Sequence, residues 1–138
     1  MPDAASGGQM QPADKDVDMH ENWPEMAAGL TPAIKELSAG APDVMKGFYA
    51  IARAALEPKA LDTKTKELIA LGIAVAVRCD ACIAFHAESA VKRGATREEV
   101  METMGMAIYM GAGPSVMYAA QALEAYDQFT ATRPSDTK

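Results

Sequence analysis

Cysteine, histidine and basic charge are all scarce in this chain, and each shortage excludes something. Two cysteines in 138 residues are too few for the disulfide framework of a small secreted protein. Only two histidines occur, His20 and His86, so the cysteines and histidines together make a poor zinc ligand set. Thirteen Lys and Arg stand against nineteen Asp and Glu, a net charge of −6. No basic cluster breaks that balance, which excludes nucleic acid and anionic membrane surfaces as partners. Long apolar runs are missing too. Leu68 to Val77 is the most apolar stretch, about half the ~20 residues that a membrane span needs. Met1 to Met19 has neither the basic start nor the apolar block of a secretory signal, and the chain reads as cytoplasmic. Sustained period-two alternation is absent, so a sheet has no source.

What is present reads as one all-α domain. With 49% apolar residues the chain can bury an ordinary core as one unit. Residues 1–20 carry too little apolar content to order themselves and read as a flexible arm. Residues 21–130 form the helical domain, and 131–138 a polar tail. Thr31-Pro32 places a cap and a first-turn proline before a short helix that stops near Gly40. Ala41-Pro42-Asp43 opens a second helix through Val44, Phe48, Ile51 and Leu56. Asp62 caps a third, which carries Leu68, Leu71, Ile73 and Val75. A fourth starts at the cysteine pair and ends before Gly94. Thr96 and Glu99 form a capping box for a fifth, and Gly111-Ala112-Gly113-Pro114 separates it from a sixth that runs to about Thr130. Methionines at Met101, Met104, Met106, Met110 and Met117 read as plastic core packing, with an oligomer interface as the alternative. Tyr109, Tyr118 and Tyr126 are expected to pack.

The chemistry centres on Cys79-Asp80-Ala81-Cys82 and His86. On a helix these three positions share one face, and Cys82 and His86 are direct i, i+4 neighbours. A thiolate is the reactive form of cysteine, and a helix N-terminus or a histidine lowers the thiol pKa from ~8.5. The helix dipole favours Cys79 and the imidazole favours Cys82. Because the histidine also shuttles the proton, Cys82 is the expected nucleophile and Cys79 the resolving thiol. An antiparallel hairpin of the third and fourth helices turning near Arg78 brings Glu67 within about one turn of His86, at ~1.5 Å rise per residue. Glu67 would then orient the imidazole in a carboxylate–imidazole–thiol relay. Lys64, three residues earlier, is the competing partner for Glu67, and Glu88 reads as a solvated charge off the cysteine face. Haem attachment needs a histidine directly after the second cysteine, where Ile83 stands. No strand precedes Cys79, which sets a thioredoxin frame aside.

Glu67, eleven residues, Cys79, two residues, Cys82, three residues and His86 is a spacing that resembles the carboxymuconolactone decarboxylase superfamily in its AhpD-like alkylhydroperoxidase branch. The resemblance covers about residues 40–128, including Ala84-Phe85-His86-Ala87 and the Gly94 to Glu99 junction. It implies an all-helical trimer or hexamer of identical chains. It also implies a thiol peroxidase or disulfide reductase in which Cys82 attacks a hydroperoxide, Cys79 resolves it, and His86 with Glu67 relays protons. An external dithiol or protein reductant restores the thiols, with no bound cofactor and no metal. Ala81 departs from the best known AhpD pattern, which has histidine directly before the second cysteine. Two other readings stand beside this one. One is a decarboxylase-like lyase on the same scaffold, although true decarboxylases generally lack the cysteine pair. The other is a non-catalytic metal-binding or redox-sensing protein.

Overall fold

A computed structural model describes residues 21–133; the expected arm, 1–20, and residues 134–138 of the expected tail lie outside the described residues. Five helices follow in order: α1 Trp23–Gly40, α2 Pro42–Leu56, α3 Thr63–Ala76, α4 Asp80–Lys92 and α5 Arg97–Thr132. No strand occurs among the described residues, and the fold class is all-α as expected.

The caps explain most of the boundaries. Asp62 accepts the Thr65 N–H at 2.7 Å to open α3, filling a donor that the first helical turn leaves free. At α5 the capping box closes in both directions. Thr96 Oγ1 accepts the Glu99 N–H at 3.1 Å, and Glu99 Oε2 accepts the Thr96 N–H at 3.0 Å.

Two boundaries are corrected. The first helix begins eight residues before Thr31, because Asn22 accepts the Glu25 N–H at 3.0 Å and Pro24 occupies the first turn. Pro32 therefore lies inside α1, where it costs one backbone bond. The break between the expected fifth and sixth helices is borne out: Ala112, at φ 55° and ψ −144°, leaves helical geometry and divides α5 into two helical stretches across a kink. Pro114 follows at the start of the resumed helix, a place where its missing N–H is tolerated. The same element reaches Thr132, two residues into the expected tail.

The core lies where α3, α4 and α5 meet, and α1 closes one side of it. Alanine makes up more than half of the buried apolar residues, so the helices approach closely and the large side chains are few. Leu71, Ile83 and Val100 fill the centre. Trp23 is fully buried, and its backbone N–H donates to Gln128 Oε1 at 2.9 Å. Gln128 Nε2 donates to the Glu21 carbonyl at 2.9 Å, so one amide pins the start of α1 to the end of α5. Tyr126 is buried and donates to the Ala95 carbonyl at 2.6 Å, tying α5 to the turn after α4. Tyr109, by contrast, is 79% exposed. Of the methionines read as core, Met104 alone is buried, while Met101, Met106, Met110 and Met117 stay open to solvent.

Candidate active site

The site is built on the joint between α3 and α4. At the end of α3 the Arg78 N–H donates to the Val75 carbonyl at 3.2 Å, and the Cys79 N–H to the Ala74 carbonyl at 3.1 Å. These two bonds are the Schellman pattern that terminates helices, with residue 78 in the left-handed region. Gly94 fills the same position after α4, at φ 78°, with equivalent bonds to Val91 and Ala90. Arg78 does so at φ 58° without glycine's freedom, which costs roughly 1–2 kcal/mol for a residue with a Cβ.

The residue that closes α3 also opens α4. Cys79 is the N-cap of α4, and its Sγ accepts the Cys82 N–H at 3.2 Å. Its sulfur therefore sits at the positive end of the helix dipole. Cys79 and Cys82 are joined in a disulfide, with Cα atoms 5.2 Å apart. Both are partly buried, and Cys82 packs against the core.

His86 lies one turn beyond Cys82 on α4, partly exposed. Its Nδ1 is 2.7 Å from Glu67 Oε2. Glu67 comes from α3 and is only 4% exposed, one of two buried polar side chains among the described residues. The hairpin thus brings the two residues into direct contact, and α3 supplies the carboxylate from a buried position. With Glu67 ionised, Nδ1–H donates to it and Nε2 keeps its lone pair. Nε2 has no other partner among the described residues.

Lys64 does not compete for Glu67. Its Nζ bonds Glu99 Oε1 at 2.9 Å instead, joining the first turns of α3 and α5. That bond holds Lys64 above its ordinary pKa. Lys64, together with the Thr96 N–H, holds Glu99 below the usual carboxylate range. Hydrogen bonds from Thr65 hold Asp62 down in the same direction. Glu88 pairs with Lys92 at 2.8 Å along α4 and takes no part in the site. Among the described residues no group of three or more His, Cys, Asp and Glu side chains forms a metal site. The left-handed Arg78 joint went unforeseen, since the glycine that usually marks such a position is missing from the sequence there.

A family model described as carboxymuconolactone decarboxylase matches residues 42–125, more than half of the chain. The chain belongs to the carboxymuconolactone decarboxylase family. The matched span contains Glu67, Cys79, Cys82 and His86, and leaves α1 outside. A crystal structure of an apo carboxymuconolactone decarboxylase family protein from Legionella pneumophila is 49% identical with a TM-score of 0.77, covering 78% of this chain and 96% of that one. A Thermotoga maritima structure is 26% identical at a TM-score of 0.69, covering 78% and 95%. A Haemophilus influenzae protein without an assigned function is 42% identical over 108 residues, 78% of this chain and 96% of its own length. Within the family fold seen here, none of the described helices is long and apolar enough to cross a membrane.

Proposed function

We propose that this protein is a cytoplasmic thiol oxidoreductase that reduces organic hydroperoxides with electrons from an external dithiol. One observation carries the reading: a Cys-x-x-Cys disulfide lies one helical turn from an imidazole held by a buried carboxylate. A structural disulfide has no need of an oriented base beside it, whereas a redox pair does.

In the reduced protein His86 Nε2 takes the Cys82 proton, while Glu67 holds Nδ1–H and supports the imidazolium that forms. The Cys82 thiolate attacks the terminal oxygen of the hydroperoxide. The O–O bond breaks, the alkoxide takes the proton from His86 and leaves as the alcohol, and Cys82 becomes a sulfenic acid. Cys79 then attacks the Cys82 sulfur. The S–O bond breaks, water leaves, and the disulfide forms. An external dithiol reverses this by exchange, is itself oxidised to a disulfide, and returns both cysteines to thiols. The sulfurs carry the two electrons, so the cycle calls for no bound cofactor. The Cys82 N–H at the Cys79 sulfur supports Cys79 as the thiolate released in that exchange, because the better-stabilised sulfur leaves faster.

The test is Cys82→Ser with tert-butyl hydroperoxide and dithiothreitol. Turnover is expected to vanish, and full retained activity overturns the assignment. A lyase on the same scaffold predicts the opposite response to thiol chemistry, since its activity on a lactone or β-keto acid survives alkylation of both cysteines.

A further inference from the structure

Several basic side chains are matched to an acidic partner. Lys64 meets Glu99 at 2.9 Å, Lys92 meets Glu88 at 2.8 Å, and Arg97 meets Asp127 at 3.0 Å. Arg53 and Arg93 are exposed, and neither guanidinium has an acceptor among the described residues. Both line one cleft of about 860 Å³, between α2, the first residue of α3 and the C-cap of α4. That is the size of a small-molecule site. Tyr49, Leu56 and Pro58 wall the same cleft, so cationic and apolar surface adjoin. Glu57 is the carboxylate among the described lining residues, and its Oε2 faces Lys59 Nζ at 3.6 Å. Two bonds fix this wall to α3. Thr63 Oγ1 donates to the Leu56 carbonyl at 3.1 Å, and Lys66 Nζ to the Glu57 carbonyl at 2.6 Å.

Helical phase joins this cleft to the cysteine pair. Cys82, His86, Ser89 and Arg93 fall at i, i+4, i+7 and i+11, one stripe along α4. Cys82, His86 and Ser89 are only partly buried, so the stripe reaches solvent between the sulfur and the arginine. Arg93 lies ~16 Å from Cys82 along the helix axis, at ~1.5 Å rise per residue. An extended fatty acyl chain covers such a span. In a protein of net charge −6, a pair of free guanidiniums on one cleft selects an anion locally against the sign of the whole surface.

We infer that Arg53 and Arg93 hold the carboxylate of a long-chain hydroperoxy acid whose peroxide reaches Cys82. The inference rests on the thiol peroxidase reading of Cys82 and His86, and it makes the two arginines specificity-determining residues. A guanidinium fork matches a carboxylate bidentately and keeps its charge at any working pH. The alkyl chain covers the apolar wall of the cleft and crosses the stripe past Ser89 and His86. The chemistry keeps its balance. The O–O bond breaks, a hydroxy acid leaves in place of a simple alcohol, and water follows when Cys79 closes the disulfide. The external dithiol supplies the two electrons.

The experiment compares the hydroperoxide of linoleic acid with its methyl ester, with dithiothreitol as reductant. Wild type should favour the acid at least about tenfold in kcat/KM. Arg53→Gln and Arg93→Gln should each cut that acid-to-ester ratio at least about fivefold, through KM for the acid and not through kcat. A wild type without the preference overturns the inference. So does a loss that acid and ester share equally, since it leaves the ratio where it was. Calorimetric titration of the oxidised protein with decanoate reads the cleft without turnover. Saturable binding, weakened at least about tenfold when both arginines are replaced by glutamine, supports the carboxylate site, and absent binding overturns it. A wild type that binds decanoate but reduces no hydroperoxide refutes the peroxidase reading and the substrate with it, while the carboxylate site stands.

Discussion

Replacing Glu67 by glutamine tests the reading of the site with little change of shape. The carboxylate is 4% exposed and its Oε2 lies 2.7 Å from His86 Nδ1. Glutamine fits the same space but brings an amide N–H₂ as well as a carbonyl. If the amide nitrogen turns toward the ring it donates to Nδ1, and the imidazole proton must then sit on Nε2, where the base is needed. If the carbonyl turns inward, the tautomer survives but the negative charge that supports imidazolium is gone. Either way a positioned base is weakened, and such bases contribute about 100-fold to 10,000-fold to turnover. Glu67→Gln should therefore lose at least about 100-fold in kcat with hydroperoxide and dithiol, with KM nearly unchanged. Folding should suffer far less. Hydrogen bonds to a charged group are worth about 1.5–3 kcal/mol and neutral ones about 0.5–1.5, a difference of about 1 kcal/mol. In a domain of this size that lowers Tm by roughly 3–4 °C. Initial rates at 25 °C and calorimetry on the same preparation separate the two effects. Wild-type kcat in a folded Glu67→Gln protein would refute the relay.

Two further predictions concern stability. Gly94→Ala should cost about 1 kcal/mol through its left-handed backbone alone, since a Cβ there meets nothing within 4 Å. Arg78→Gly, at the matching joint, should gain about 0.5 kcal/mol, the strain relieved less the added freedom of the unfolded chain. Urea midpoints check both, and equal responses at the two joints would contradict the assignment. The Lys64–Glu99 pair sets a pH window. Glu99 is held below its ordinary 4.5, so its contribution is present above that value and lost as pH falls through the lowered one. Lys64 is held above 10.5, so its contribution is full below that value and lost as pH rises past the raised one. Lys64→Met should flatten the acid limb of stability against pH, read as urea midpoints between neutrality and about pH 3. An unchanged acid limb would show that the pair does not contribute.

Much of this fold was legible because helix boundaries are local chemistry. Asp62 and the Thr96–Glu99 box each satisfy donors of their own first turn, and neighbouring residues suffice to show it. From sequence alone α1 starts too late because Asn22-Trp23-Pro24 is the same signal as Thr31-Pro32, and only the burial of Trp23 decides between them. The break at Gly111 to Pro114 was visible in composition. That a single residue, Ala112, makes the break between the two helical stretches depends on how the second half packs, which is tertiary information. Within the site, helical phase put Cys79, Cys82 and His86 together, and the hairpin argument brought Glu67 near. The distance at which the carboxylate meets Nδ1 was not accessible, because side-chain burial decides it. The exposed methionines of α5 were legible as methionines but not as surface, since an apolar residue carries no mark of whether its own chain covers it.

Residue 79 ends one helix with its amide and begins the next with its sulfur. Alkylation, oxidation or reduction at that atom therefore alters the hydrogen bond that orders the first turn of α4. The backbone amide of Cys82, donor in that bond, becomes a built-in reporter, and its NMR shift and solvent exchange should follow the chemical state of a sulfur three residues away.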